Sequence, residues 1–123
     1  MSIQKSKSII WLGIISIIIT GLVHAIDAPD AFGEAKYKGW LFCINGLGSF
    51  FAAIGIYLSR RTWGWNLGCS IAVLSIILYI VSRTFGLPNI PAEPDEWFEP
   101  LGVVSLIAEF VFIAVFTKAS AQG

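Results

Sequence analysis

The chain is poor in the residues on which many enzymes and metalloproteins depend. It has one histidine, His24, and two cysteines, Cys43 and Cys69, too few for a disulfide framework or for a haem held by two histidines. P-loop, nucleophile-elbow, zinc-protease, haem-attachment and dinucleotide-binding patterns do not occur in it. We therefore expect a non-enzymatic protein, and the sequence assigns it no cofactor.

Charge is also scarce. Charged residues make up 13% of the chain, and the formal net charge is zero. A nucleic-acid-binding protein needs a basic surface to neutralise phosphates, and this composition offers none. Nucleic acid is therefore not an expected partner.

Apolar residues, in contrast, make up 56% of the sequence. They form four stretches at 8–26, 40–58, 64–82 and 101–117, each close to the length of about 20 residues that crosses a bilayer as a helix. These stretches predict one domain over residues 1–123. Its fold class is all-α, a four-helix transmembrane bundle of two hairpins, with the lipid bilayer as its first partner.

The charges predict the orientation of the bundle. All eight carboxylates lie in or near the segments 27–39 and 83–100, whereas Lys5, Lys7, Arg60, Arg61 and Lys118 lie at the other ends of the spans. Because short basic loops stay in the cytoplasm, both termini are expected inside and two long acidic loops outside. The expected location is a prokaryotic inner membrane or an equivalent internal membrane.

The start of the chain allows a second interpretation. Lys5 and Lys7, the apolar run after them and the small residues around His24 also resemble a signal peptide with its cleavage site. Cleavage there would leave three spans and an outer N-terminus. The apolar run is longer than the hydrophobic region of most signal peptides, and this length favours a first span that is retained.

Small residues predict how the helices pack. Gly64, Gly68 and Ala72 recur every four residues in the third span, and Gly48 and Ala52 do so in the second. Such ladders let two helices approach closely in a membrane. We expect the second and third helices to form the tightest pair, and a dimer interface is the alternative.

Polar residues at membrane depth are candidates for function because they are costly there. Glu109 is the deepest carboxylate, and Ser105 lies one helical turn away. Counting along the spans places the other polar residues in the same outer half of the bundle. The predicted polar network consists of His24, Asp27, Glu34, Asn45, Arg83, Ser105 and Glu109.

Arg83 is the natural partner for Glu109, although it can also extend outward to the acidic loop. Three roles for the network stay open: a metal site of mixed nitrogen and oxygen ligands, a proton or ion path, and a structural hydrogen-bond network. A lone histidine favours the structural role over the metal site.

The two outer loops carry further signals. The first, at 27–39, could form a short interfacial helix with Pro29 near its start and Phe32 facing lipid. The second combines aromatic and acidic residues in a pattern that suits either a solvated loop or a docking surface for a partner. The predicted docking residues are Glu93, Asp95, Glu96, Trp97, Phe98 and Glu99.

A resemblance adds to this interpretation. His24 with Ala28-Pro29, Glu34 and Gly39, and later Arg83-Thr84-x-Gly86-Leu87-Pro88, resembles a group of small uncharacterised four-span prokaryotic membrane proteins. The resemblance implies one outward-facing polar cluster and brings no activity. That group often has a second histidine where this chain has Asp30-Ala31, a departure that weakens the metal-site hypothesis.

Together these features favour a small accessory or assembly subunit of a membrane complex, or a homo-oligomer. The alternative is a transport protein that binds a small ligand, a proton or a metal in an outward-facing polar cup.

Overall fold

The structure, a computed structural model, describes residues 7–58 and 62–122. These residues form four long α-helices: α1 Lys7–Glu34, α2 Lys36–Leu58, α3 Thr62–Thr84 and α4 Pro100–Gln122. Each helix is long and apolar enough to cross a membrane, which confirms the prediction of an all-α protein with four candidate spans. Residues 59–61, between the second and third helices, lie outside the described residues, as does Lys5.

The prediction of a long first loop is wrong. α1 continues to Glu34 and α2 begins at Lys36, so a single residue separates them. Pro29 lies inside α1 instead of near the start of a new helix. Backbone hydrogen bonds from Ala35 to Ala31 and from Gly39 to Ala35 carry the helical pattern through the junction.

Phe32 also departs from its predicted place at the lipid surface. Its ring covers Gly39, where an added Cβ would meet ring carbons within 2.5 Å. It also makes an edge contact with Trp40, with the ring centroids 5.3 Å apart. The side chain therefore fastens the end of α1 to the start of α2.

The second connection is a folded loop with one 3₁₀ turn at Pro94–Glu96. Gly86 ends α3 with a φ of 86° and donates its amide hydrogen bond to the Val81 carbonyl. Pro88 and Asn89, with an Asn89 φ of 62°, occupy the central positions of a turn closed by paired hydrogen bonds between Leu87 and Ile90. This order suits a type II turn, and it folds the loop back over the bundle.

The four helices form a square in which α1 and α3 lie on one diagonal, each packed against both α2 and α4. The most extensive contact is between α1 and α2, and the α2–α3 contact is smaller. The prediction that the second and third helices form the tightest pair is therefore wrong. The one-residue junction is the physical reason, because it holds the last turn of α1 against the first turn of α2.

Glycines allow the close approach of α1 and α2. A Cβ on Gly21 would lie 2.8 Å from the Ser49 Cβ, and one on Gly46 would lie 3.3 Å from the Gly21 carbonyl oxygen. The ladder of α3 serves two partners instead of one. Gly64 lies against the backbone of α2, and Gly68 makes room for the Phe112 ring of α4.

The half of the bundle away from the folded loop is filled by apolar side chains. Ile17, Ile56 and Phe112 are fully buried, and Trp65 packs on Phe112 with the ring centroids 5.6 Å apart. Polar side chains collect in the half nearer the loop, which we call the loop end.

The α1–α2 contact generates a prediction. Gly21→Ala should lower the free energy of unfolding by roughly 1–3 kcal/mol, because the new methyl group overpacks the contact with Ser49. Gly33→Ala is the matched control in the same helix, since an added Cβ meets nothing within 4 Å there. Alanine at that position should leave stability unchanged or raise it by about 0.5–1 kcal/mol. Reversible unfolding in mixed micelles measures both, and equal effects would contradict the packing described.

Candidate functional site

A chamber of about 560 Å³ lies inside the loop end of the bundle. All four helices and the loop after α3 contribute to its wall, and exposed residues such as Asp30 and Pro88 mark where it reaches the surface. Every residue of the predicted polar network lies on this wall. The polar and aromatic residues that line the chamber are His24, Asp27, Asp30, Glu34, Tyr37, Lys38, Phe42, Asn45, Ser75, Tyr79, Ser82, Arg83, Glu93, Glu96, Glu99, Ser105 and Glu109.

Glu109 is the most buried ionisable group of the chamber, with 1% of its surface exposed. Its Oε2 accepts a hydrogen bond of 2.6 Å from the Ser105 hydroxyl, one turn earlier in α4. Within the described residues no Lys or Arg lies within ion-pair distance of it. The carboxyl group is thus held by a neutral partner alone.

His24 is fixed by its own helix. Its Nδ1 lies 2.8 Å from the Thr20 carbonyl oxygen, and because a carbonyl only accepts, Nδ1 must carry the hydrogen. The neutral ring then has Nε2 as an acceptor. Phe42 of α2 packs against the ring at a centroid distance of 4.9 Å.

Asn45 links α2 to α3. Its side-chain amide donates to the Ser75 hydroxyl at 2.7 Å, and its carbonyl oxygen accepts from Ser49 at 3.3 Å. Hydrogen bonds of this kind between membrane helices are worth about 1 kcal/mol each. They set the spacing of the two helices at the chamber wall.

The predicted pair of Arg83 with Glu109 is absent from the described structure. The Arg83 guanidinium lies over the Tyr79 ring, 3.7 Å from its centroid, and donates to the Glu96 carbonyl oxygen and the Ser82 hydroxyl. These partners lie beside Arg83 at the surface end of α3. Reaching Glu109 would require the cation to leave them for a more buried position, which disfavours the pair.

Acidic residues of α1 and of the loop line the outer part of the chamber. Glu34 pairs with Lys38 at 3.0 Å, and Glu99 accepts from the backbone N–H groups of Leu101 and Gly102 at the start of α4. Burial raises the pKa of the Glu93 carboxyl above its ordinary value, and the nearby Glu34 and Glu96 raise it further. Negative charge is therefore crowded there.

The structure places the predicted docking residues in three different settings. Glu93, Glu96 and Glu99 line the chamber. Trp97 packs on Tyr79 at a centroid distance of 5.9 Å, and its carbonyl accepts from the Tyr79 hydroxyl. Asp95 and Phe98 remain on the surface, and Phe98 is 89% exposed.

Sequence reasoning missed seven of the polar and aromatic lining residues: Asp30, Tyr37, Lys38, Phe42, Ser75, Tyr79 and Ser82. The Tyr37 hydroxyl donates to the Pro88 carbonyl, which ties α2 to the loop at the edge of the chamber. Lys38 lies four residues after Glu34 and Tyr79 four residues before Arg83, the spacing at which helical side chains meet. In both cases this spacing was the available signal. For Glu34 and Lys38 it could be used only once residues 27–39 were recognised as helical.

The described residues contain no group of three or more His, Cys, Asp or Glu side chains placed to hold a metal ion. Cys43 and Cys69 are free thiols, each half-buried.

The fold and the site define a class: a four-helix protein whose helices are each long and apolar enough to span a membrane, with a polar chamber at one end of the bundle. Within that class, the chain belongs to DUF7475, a family of unknown function, whose model matches residues 1–119. No curated protein and no solved structure matches the chain.

The crowding at Glu93 predicts a pH-dependent effect on stability. Because the folded protein favours the neutral carboxyl, ionisation of Glu93 costs stability as the pH rises through its raised pKa, and this cost is absent below the ordinary value of 4.5. Glu93→Gln should therefore raise the unfolding midpoint at about pH 8 and leave it unchanged at about pH 4. Thermal unfolding in detergent measures the difference.

Asp95→Asn is the control for this comparison, since Asp95 is exposed and lies outside the chamber. A gain from Glu93→Gln that is equal at both pH values, or equal to that of the control, would contradict the account.

Proposed function

We propose that this protein binds a small polar ligand inside the loop-end chamber, without catalysing a reaction on it. The observation that carries this proposal is the convergence of His24, Asn45, Arg83 and Glu109, one from each helix, on a single cavity. A volume of about 560 Å³ lies within the usual range of ligand sites, roughly 300–1,000 Å³. Ionisable groups at membrane depth commonly mark substrate, ion or proton sites.

The distribution of polarity supports binding over passage through the bundle. The half away from the chamber is packed with Ile17, Ile56, Trp65 and Phe112. These packed apolar side chains would stop a ligand that enters from the loop end. Capture, sensing or delivery of a ligand on one side of the membrane suits such a chamber.

The proposed orientation places the loop end outside and both termini in the cytoplasm, in a prokaryotic inner membrane or an equivalent one. The distribution of Lys and Arg supports this orientation, because Lys7 and Lys118 lie near the ends of α1 and α4 that are remote from the chamber.

Exposed aromatic residues favour a second candidate function, that of an accessory subunit. Phe85 and Phe98 are each 89% exposed at the loop end, and aromatic side chains are common at the centres of protein interfaces. A stoichiometric partner protein in native mass spectra of the gently extracted protein would favour this candidate.

The ligand proposal is tested by filling the chamber. Ser75 lines the chamber, whereas the neighbouring Leu74 does not and is 59% exposed. Ser75→Phe should remove any small molecule that co-purifies with the wild-type protein, and Leu74→Phe should retain it. Native mass spectrometry followed by small-molecule analysis of the denatured sample measures the loss. Equal retention by both folded variants would place the molecule elsewhere and contradict the proposal.

The orientation is tested with single cysteines placed in a chain whose Cys43 and Cys69 are replaced by alanine. Asp95→Cys should react in intact cells with a membrane-impermeant maleimide. Ser120→Cys, near the end of α4, should react only after the membrane is permeabilised. The reverse pattern would invert the bundle.

A further inference from the structure

Glu109 has no positively charged partner among the described residues. Its carboxyl group is 1% exposed and is bonded to the neutral Ser105 hydroxyl. Of the two permanent cations on the chamber wall, Arg83 is engaged by Tyr79, Ser82 and the Glu96 carbonyl, and Lys38 by Glu34. A buried carboxylate without a counter-charge is unfavourable, so an occupant that supplies positive charge would stabilise this part of the bundle.

The hydrogen-bonding groups left over in the chamber are acceptors. Glu109 Oε1 has no donor among the described residues, and His24 presents Nε2 as an acceptor because its Nδ1 hydrogen is used by Thr20. Both residues lie on the chamber wall. A complementary ligand therefore brings N–H or O–H donors.

The chamber as a whole is acidic. Seven carboxylates line it against two permanent cations, Lys38 and Arg83, and Lys38 is already paired with Glu34. A cleft of one charge sign with low-dielectric walls concentrates ligands of the opposite sign.

Size indicates an organic ligand over a bare ion. The volume of about 560 Å³ is far larger than a single metal ion needs. The rings of Phe42 and Tyr79 also line the chamber and offer apolar surface for a carbon skeleton.

We infer that the chamber binds an organic cation with N–H donors, a primary ammonium or a guanidinium, whose charged group lies against Glu109. This inference rests on the proposed function and names its ligand class. The same ammonium chemistry is supplied by a free amine or by the headgroup of a lipid such as phosphatidylethanolamine.

The test uses the full chain in nanodiscs of phosphatidylglycerol, with n-butylammonium as the probe and calorimetry as the measurement. Butyrate and n-butanol are the matched anionic and neutral probes. Butylammonium should bind, and Glu109→Gln should weaken its binding about tenfold or more, because a charge-assisted hydrogen bond is lost. Tetramethylammonium, which has no N–H donor, should bind more weakly than butylammonium.

Asp95→Asn is the control, since it removes a carboxylate outside the chamber and should leave the affinity unchanged. If Glu109→Gln does not fold, His24→Phe removes the other acceptor and should also weaken binding of butylammonium. A second set of nanodiscs made with phosphatidylethanolamine distinguishes the sources: competition between this lipid and butylammonium identifies the headgroup, and unchanged affinity identifies a free amine.

Two results would overturn the inference. If butyrate or butanol binds as tightly as butylammonium and Ser75→Phe abolishes that binding, the chamber is a ligand site for another class and the proposed function survives. If butylammonium binds equally well to the wild type and to a folded Glu109→Gln variant, the cation does not lie against Glu109.

Discussion

Hydrocarbon offers no hydrogen-bond partner, and this constraint accounts for the positions of the polar side chains that line the chamber. Glu109 is the clearest case, because its carboxyl group is hidden from the surface of α4 and held by Ser105. Asn45 and His24 follow the same rule, with Ser75 and the Thr20 carbonyl as their partners. Two buried groups depart from it: the Thr20 hydroxyl and the Trp65 indole N–H have no hydrogen-bond partner among the described residues. The collection of polar side chains at one end produces a polar chamber there and a packed apolar core elsewhere.

The shape of the chamber depends on the unequal packing of the helices. α1 and α2 are joined by one residue and approach closely at Gly21 and Gly46. The connection from α3 to α4 is longer, and its folded loop is anchored to α2 by the hydrogen bond from Tyr37 to Pro88. The tight pair and the loop both contribute to the wall, together with α3 and α4.

The lengths of the apolar stretches predicted the four spans. Residue counting along those spans then predicted the polar network, because the rise per residue fixes the depth of a side chain once a span is recognised. His24, Asn45 and Glu109 were assigned to one region on that ground, and they line one chamber. The partner of Arg83 was not predictable in the same way. It depends on a loop whose course is set by positive φ angles at Gly86 and Asn89. Similarly, Pro29 suggested the start of a new helix, but in the structure it lies inside α1.

The acidic chamber reaches the surface at the loop end, and α4 forms part of its wall. The most direct measurement is the reactivity of Ser105→Cys in a chain with Cys43 and Cys69 replaced by alanine. The account predicts that an impermeant cationic methanethiosulfonate applied from the loop side modifies this cysteine faster than an anionic reagent of similar size. A folded protein in which this cysteine stays unmodified, or reacts faster with the anion, would contradict it.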